Sequence, residues 1–133
     1  MMKIKLIDLT IMGDERGSLI ALEQNHNVPF DVKRVYYVFG TQDNVCRGHH
    51  AHRNLKQLAI CVSGYCTFLL DDGKTKEHIQ LSSPTQGLLI EGLIWREMYN
   101  FSKDCVLMVL ADEYYNPEDY IRDYKQFLKE STK

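Results

Sequence analysis

The stretch RGHHAHRNLKQLAICVSG, residues 47–64, holds three histidines within four positions, followed by an apolar run that ends in glycine. The whole chain has five histidines. Side chains on a β-strand alternate between its two faces, so His50 and His52 share one face and His49 points to the other. Two imidazoles on one face can ligate a metal or move a proton. Other features of the sequence are needed to distinguish metal binding from proton transfer.

Short runs rich in β-branched and aromatic residues recur at intervals of roughly ten residues on both sides of this stretch. Asp72-Gly73 between two of these runs predicts a tight hairpin, because glycine tolerates the positive φ that the turn needs. No helical pattern separates the runs, so the sequence predicts an all-β fold, a double-sheet antiparallel jelly roll or small barrel. The runs are KIKLIDL, GSLIALE, VKRVYYVF, LKQLAICVSG, CTFLLDDG, EHIQLS, GLLIEG, WREMYNF and CVLMVLAD.

The period of the hydrophobic pattern changes in the tail of the chain. Asn116 is a good N-cap and Pro117 a good first helical residue. Apolar and aromatic residues then recur at helical spacing, at positions 120, 121, 124, 127 and 128. We therefore predict one C-terminal helix over residues 116–130. No linker or repeat interrupts the sequence, which predicts a single domain over residues 1–133.

Composition excludes several classes of function. A formal charge of −2 gives no field that would attract nucleic acid, so an anionic ligand must be held by local arginines. No apolar stretch approaches the ~20 residues of a membrane span. The N-terminus lacks the pattern of a signal peptide, and the four cysteines lack the C-x-x-C spacing of a zinc site. We expect reduced thiols and a cytoplasmic protein that binds neither nucleic acid nor membrane.

The spacing of Gly48, His50, His52, Gln57 and Gly64 resembles the first conserved motif of the cupin superfamily. In metal-binding cupins the position of Gln57 or its neighbour is a glutamate ligand. The second cupin motif ends in H-x-x-x-N, which resembles "REMYN" here, with arginine in place of the fourth ligand. A guanidinium cannot ligate a cation and repels one. We therefore predict neither a metal nor another cofactor.

The resemblance extends from about residue 4 to residue 128. The blocks "ERGSLIALE", "VKRVYYVF", "CRGHHAHRNLKQL", "VSGYCTFLLDDG", "GLIWREMYNFSKDCVLMVLADEYY" and "EDYIRDYKQF" are similar, in order and spacing, to the sugar nucleotide 3,4-ketoisomerases. These enzymes convert dTDP-4-keto-6-deoxy-D-glucose into a 3-keto isomer. The resemblance implies a metal-free cupin jelly roll and a homodimer with exchanged N-terminal strands. It also implies a role in making amino-deoxysugars for lipopolysaccharide or other surface glycans.

The resemblance also implies roles for individual residues. His52 is expected to be the main base, His50 its partner in proton transfer, and Tyr37 a donor to the enediolate. Arg47 and Arg16 are expected to bind the diphosphate or the sugar, because arginine binds diphosphate bidentately. Arg96 is expected to contact the substrate as a fixed cation for an anionic group or a developing oxyanion. We expect His49, His26 and His78 to be surface or structural residues.

Three other functions remain open at this point. A dTDP-sugar 3,5-epimerase would share the fold, the nucleotide and histidine-based proton abstraction. A cupin that binds a sugar nucleotide without catalysis would share the fold alone. A metal-dependent cupin oxygenase would need a bound metal ion. Product analysis, binding by an inactive variant and metal analysis distinguish these three functions from a ketoisomerase.

Overall fold

The computed structural model describes residues 2–132 and consists mostly of short antiparallel strands. In chain order they are β1 (Lys5–Asp8), β2 (Met12–Asp14), β3 (Gly17–Leu19), β4 (Arg34–Val38), β5 (Arg47–His52), β6 (Gln57–Ser63), β7 (Cys66–Asp71), β8 (Lys76–Leu81), β9 (Gln86–Ile90), β10 (Trp95–Tyr99), β11 (Val106–Ala111) and β12 (Tyr120–Ile121). A helix, α1, follows over Tyr124–Ser131.

Ten of the strands form two five-stranded sheets. The first sheet has the order β1-β9-β6-β11-β4 and the second the order β12-β5-β10-β7-β8. Buried side chains from both sheets meet in one apolar cluster, to which β6, β9 and β11 contribute from the first sheet and β7, β8 and β10 from the second. Burial of this shared interior drives the two sheets together. The predicted all-β, double-sheet jelly roll with a C-terminal helix is confirmed.

The Asp72-Gly73 hairpin is present between β7 and β8. The two strands pair from Asp71 opposite Lys76 to Cys66 opposite Leu81. Gly73 has a φ of +94°, and the Asp72 carboxylate accepts hydrogen bonds from the backbone N–H groups of Lys74 and Thr75, both at 2.8 Å. The aspartate thus satisfies the turn backbone while glycine provides the positive φ.

The prediction of one helix over residues 116–130 is wrong in its first half. Asn116 does cap a helical turn, but this is a short 3-10 turn over Pro117–Asp119. Strand β12 follows and pairs with β5, with Ile121 buried. The helix begins only after Asp123, whose carboxylate accepts a hydrogen bond from the Lys125 N–H at 3.1 Å. Pairing with the sheet edge satisfies backbone groups that a continuous helix would have satisfied internally.

The N-terminal segment covers part of the outer face of the first sheet. Leu9, Val28 and Phe30 are buried against Leu58 and Ile60 of β6. Strand β1 pairs with β9 of the same chain and is the edge strand of the first sheet, with no second partner strand within residues 2–132. Strands β2 and β3 instead form a separate two-stranded hairpin. No helix within residues 2–132 is long and apolar enough to cross a membrane.

Candidate active site

A β-bulge in β5 sets the direction of the histidines. His50 pairs with Arg96 of β10 and Gly48 pairs with Glu97, so His49 is the extra residue between two paired positions. Gly48 and His49 have φ values of +91° and +57°. A Cβ at Gly48 would lie 2.8 Å from the Arg96 carbonyl oxygen, so this position requires glycine. The bulge keeps His50 on the interior face while the His49 ring lies beside Glu97.

His50 and His52 lie together in the interior, as predicted. Their ring centroids are 4.8 Å apart and the rings meet edge to face. Tyr120 of β12 pairs with His52 across the sheet, and its ring centroid lies 4.8 Å from His50 and 4.3 Å from His52. The His52 side chain is only 1% exposed, whereas His50 is half-buried. Three aromatic rings from two strands therefore form one compact cluster.

Arg96 lies in the same interior and is 2% exposed. One guanidinium nitrogen donates to the Gln57 side-chain carbonyl, and another donates to the Ile94 backbone carbonyl at 2.9 Å. The Gln57 amide in turn donates to the Tyr36 hydroxyl at 3.1 Å. This chain of hydrogen bonds connects β10, β6 and β4 and holds the Arg96 guanidinium in the same interior as the two histidines.

The expectation that Tyr37 lies in the site is wrong. Its side chain is 64% exposed, because β4 turns it to the outer face of the first sheet. Tyr36, one position earlier, points to the interior and contacts Gln57. Adjacent residues on a strand face opposite sides, so a shift of one position exchanges an interior tyrosine for an exterior one.

Burial and positive charge keep both interior histidines neutral. The pKa of His50 falls to about 4 because burial and then the Arg96 charge disfavour the imidazolium. The same two causes lower the pKa of His52 to about 2. Complete burial lowers the pKa of Arg96 to about 10, so it stays charged at neutral pH. The His50 Nδ1 lies 3.0 Å from the Gly48 carbonyl oxygen, which favours the tautomer with the proton on Nδ1 and leaves Nε2 as an acceptor.

Asp119 faces His52 from the 3-10 turn. Its Oδ2 lies 3.3 Å from His52 Nδ1, but the atoms are not aligned for a hydrogen bond. Its Oδ1 accepts from the backbone N–H groups of Arg53 and Asn54, at 3.2 and 3.1 Å. The backbone thus holds the carboxylate beside the ring, where it can orient His52 and stabilise a proton that His52 accepts.

A cavity of about 300 Å³ opens beside this cluster. Its lining combines His52, Asp119 and Tyr120 with residues from the barrel rim. Among the latter, Arg34 of β4 places its guanidinium carbon 5.3 Å from the ring centroid of Tyr36 and 5.9 Å from that of Tyr115. The cavity therefore joins the histidine cluster to a second cation in its lining. The remaining lining residues are Asn54, Leu55, Glu113, Tyr114 and Asn116.

The other two predicted arginines lie outside the cluster. Arg47 is exposed at the start of β5, opposite Met98, and so lies on the interior-facing side of the second sheet at its rim. Arg16 occupies the turn of the β2–β3 hairpin and is ion-paired with Asp14 at 2.5 Å, with 87% of its side chain exposed. The structure therefore brings together His50, His52 and Arg96, and separates Arg16 and Tyr37 from them.

Potential metal ligands group elsewhere in the described residues. Within residues 2–132, two trios of potential ligands lie close enough together to share an ion, Cys61–Cys66–Cys105 and Cys46–His49–Glu97. Neither trio contains His50 or His52. Next to those two histidines stands Arg96, whose positive charge disfavours a bound cation.

His49 offers a direct check of the facing assignment. Its ring lies on the opposite face of β5 from His50, beside Glu97 at 3.7 Å. We expect His49→Asn to keep the activity that the sequence resemblance implies within about threefold, since asparagine tolerates positive φ and the change lies on the surface. Steady-state kinetics measure this. A loss as large as that of the equivalent His52 variant would contradict the placement.

A double-sheet jelly roll with two histidines and a buried arginine in its interior defines a barrel of the cupin type. The family model described as "FdtA: WxcM-like, C-terminal" matches residues 2–132. A TDP-4-oxo-6-deoxy-alpha-D-glucose-3,4-oxoisomerase of Aneurinibacillus thermoaerophilus is 48% identical over 128 residues, 96% of this chain and 92% of the relative. The chain belongs to the sugar nucleotide 3,4-ketoisomerase family.

Solved structures are similar over nearly the whole chain. A TDP-quinovose 3,4-ketoisomerase from Campylobacter jejuni is 50% identical, with a TM-score of 0.92 over 97% of this chain and 99% of that one. A mutant 3,4-ketoisomerase from Thermoanaerobacterium thermosaccharolyticum, in complex with TDP-4-keto-6-deoxyglucose, is 39% identical, with a TM-score of 0.95 over 97% and 94%. A dTDP-4-dehydrorhamnose 3,5-epimerase from Bacillus anthracis is 16% identical over 88% of this chain and 76% of that one; its TM-score of 0.75 shows the shared fold alone.

Sequence reasoning missed several residues of the cluster. Tyr120 and Asp119 lie in the tail that was expected to be helical, so no pattern pointed to the site. Arg34 and Tyr36 belong to one period-two face of β4, and that alternation was the available signal. Gln57 was noticed only as an altered ligand position, whereas its role in the structure is to connect Arg96 with Tyr36.

Proposed function

We propose that the protein is a dTDP-4-keto-6-deoxy-D-glucose 3,4-ketoisomerase that works by histidine-based proton transfer, with neither a metal nor another cofactor. The observation that carries this proposal is the pair of neutral imidazoles, 4.8 Å apart, beside a buried arginine that stays charged. The substrates named for the relatives support the choice of sugar nucleotide.

The proposed reaction moves protons and leaves the overall oxidation state unchanged. The ketone at C4 acidifies the hydrogen on C3, which an imidazole removes to give a C3–C4 enediolate. A proton then returns to C4, and the proton of O3 passes to O4. The product therefore carries the ketone at C3 and the hydroxyl at C4. General acid–base catalysis of this kind needs an unprotonated base, and the lowered pKa values of His50 and His52 keep both imidazoles unprotonated at neutral pH.

We assign His52 as the base at C3 and His50 as its partner around O3 and O4. His52 lines the cavity, and the Asp119 carboxylate at 3.3 Å stabilises the imidazolium that forms when His52 accepts the proton. His50 has a lone pair on Nε2 because Nδ1 faces the Gly48 carbonyl. Tyr36 replaces Tyr37 as the interior hydroxyl: its oxygen accepts from Gln57, which leaves its own proton for donation.

Positive charge has two roles in this proposal. Arg96 stabilises the negative charge of the enediolate through the low dielectric of the interior. Arg34, which lines the cavity, and Arg47 at the rim of the same barrel bind the diphosphate. Arg16 lies on an exposed hairpin outside this barrel, so it reaches a substrate only if the hairpin extends to the site of another subunit.

We also propose a homodimer with exchanged N-terminal strands, in which the β2–β3 hairpin is the exchanged element. Apolar side chains are exposed on that hairpin and on the outer face of β4, among them Leu19, Met12 and Tyr37 at 56%, 50% and 64% exposure. Exposed apolar area of this kind is typical of a subunit interface. Light scattering is expected to give twice the chain mass of 15.5 kDa. A mass near 15.5 kDa at micromolar concentration would contradict the dimer.

The compartment and pathway follow from the same proposal. The four cysteines are unpaired, which suits a reducing cytoplasm. A 3-keto sugar nucleotide is the substrate that an aminotransferase needs to place nitrogen at C3. We therefore place the reaction in the synthesis of amino-deoxysugars for surface glycans such as lipopolysaccharide.

The test is to incubate the purified protein with dTDP-4-keto-6-deoxy-D-glucose and follow the sugar by NMR. We expect the ketone to move from C4 to C3. Inversion at C5 with the ketone still at C4 would mean a 3,5-epimerase. Binding of dTDP without any change in the sugar would mean a sugar-nucleotide-binding cupin. Either result would overturn the proposed function.

A further inference from the structure

Three potential metal ligands converge on the outer face of the second sheet, behind the catalytic histidines. Cys46 precedes β5, His49 lies in the β5 bulge and Glu97 lies on β10, and their ligand atoms all fall within 4.8 Å of one another. Cys46 is exposed, and the side chains of His49 and Glu97 are 52% and 26% exposed. The trio is accessible to ions in solution and is separate from the interior cluster.

The types of ligand match a borderline-soft divalent cation. Zinc takes thiolate sulfur, imidazole nitrogen and carboxylate oxygen at about 2.0–2.3 Å, commonly with tetrahedral geometry. Three such ligands leave the fourth position for solvent. Hard cations such as Mg²⁺ or Ca²⁺ prefer oxygen ligands and are disfavoured by the thiolate.

Two features hold the ligands in place before any ion binds. The bulge fixes His49 at a φ of +57°, with its Nδ1 3.7 Å from the Glu97 carboxylate. The indole N–H of Trp95, itself 4% exposed, donates to Glu97 Oε2 at 2.9 Å. A buried donor that orients a ligating carboxylate is a common outer-shell arrangement in metal sites.

The other cysteine trio is a weaker candidate. Cys61, Cys66 and Cys105 are 0%, 0% and 2% exposed, and all three belong to the apolar core. An ion would have to shed its water to enter that core, where the burial of charge is costly. Buried thiols among aliphatic and aromatic side chains are typical of hydrophobic packing.

We infer that Cys46, His49 and Glu97 form a surface binding site for a thiophilic divalent cation of the zinc type. Cys46 supplies a thiolate, His49 its Nδ1 and Glu97 a carboxylate oxygen, and the Cys46 thiol releases its proton when the cation binds. The site does not take part in the proposed isomerisation, whose residues lie on the other face of β5 and β10.

Titration of the full-length protein with Co²⁺ in chelator-stripped buffer tests this site, because thiolate-bound Co²⁺ absorbs through sulfur-to-metal charge transfer. We expect this absorption to saturate near one Co²⁺ per chain and to disappear when Zn²⁺ is added. It should be lost in Cys46→Ser and weakened at least about tenfold in affinity in His49→Asn. His26→Asn, an exposed histidine elsewhere, and Cys61→Ser are matched controls that should behave as wild type.

Two outcomes overturn the inference. They are no charge-transfer absorption in the wild type and absorption that persists in Cys46→Ser; in the second case, its loss in Cys61→Ser would assign the cation to the buried cysteines. Circular dichroism of each variant verifies that it is folded. Cobalt binding is measured without substrate, so its failure and the failure of the isomerase assay are distinguishable.

Discussion

Replacement of His52 by asparagine is expected to lower kcat/KM for the proposed isomerisation by about 10³–10⁴-fold, at the upper end of what general acid–base catalysis contributes. His52 is buried beside Asp119 and lines the cavity, so no other imidazole can take its place from the same direction. Asparagine keeps a similar shape and hydrogen-bonding capacity but cannot accept a proton at neutral pH. NMR of the product at fixed times measures the rate.

The matched variants are His50→Asn and His49→Asn. We expect kcat/KM of His50→Asn to fall by about 10²–10³-fold. This loss is smaller than that of His52→Asn, because the role of His50 is to move protons between O3 and O4 of the sugar. His49→Asn should stay close to wild type. Retention of wild-type activity by His52→Asn, in a protein that unfolds at the same urea concentration as wild type, would remove His52 from the mechanism.

Arg96→Met is expected to lower kcat by about 10²–10³-fold, the usual loss when one preorganised stabiliser of a developing oxyanion is removed. Arg96 is buried and bonded to Gln57, so its charge is held in place before the reaction begins. Methionine fills much of the volume without the charge. Arg96→Lys keeps a positive charge but not the planar geometry of the guanidinium. Its kcat should lie between that of Arg96→Met and that of wild type. Equal kcat in Arg96→Met and wild type would contradict the electrostatic role.

Arg96→Met should also change the pH dependence of kcat/KM, on the acid side of the pH–rate profile. The Arg96 charge contributes to lowering the pKa of His52, so its removal raises that pKa. A base works only in its unprotonated form, and a higher pKa means that it becomes protonated at a higher pH. The acid limb of kcat/KM should therefore move to higher pH in Arg96→Met. A purely structural role for Arg96 would lower the rate without this displacement.

The strands and the interior pair of histidines could be predicted because both depend on local pattern. Alternation in residues 47–64 was enough to place His50 and His52 on one face. Arg96 was predicted from the second cupin-like motif, which lies on β10, the strand that pairs with β5. Even the bulge at His49 did not upset the prediction, since it leaves His50 and His52 facing the interior.

The facing of Tyr36 and the pairing of β12 depend on which sheet each segment joins. A local sequence pattern does not determine this. In "VKRVYYVF" two adjacent tyrosines fit either face, and only packing against β11 decides that Tyr36 faces the interior. The tail "PEDYIRDY" has good helical caps, yet β12 pairs with the edge of β5. That pairing places Tyr120 and Asp119 beside His52, a contact between residues distant in sequence.

In the proposed mechanism one enediolate forms between C3 and C4, and its protons are exchanged through side chains that also exchange with solvent. The most direct measurement is to run the reaction in D₂O and locate deuterium in the product by NMR. We expect deuterium at C4 of the 3-keto product in most turnovers and none at C5. Full retention of hydrogen at C4 would indicate a hydride shift. Deuterium at C5 would indicate epimerase chemistry. Either result would contradict the proposed proton-transfer mechanism.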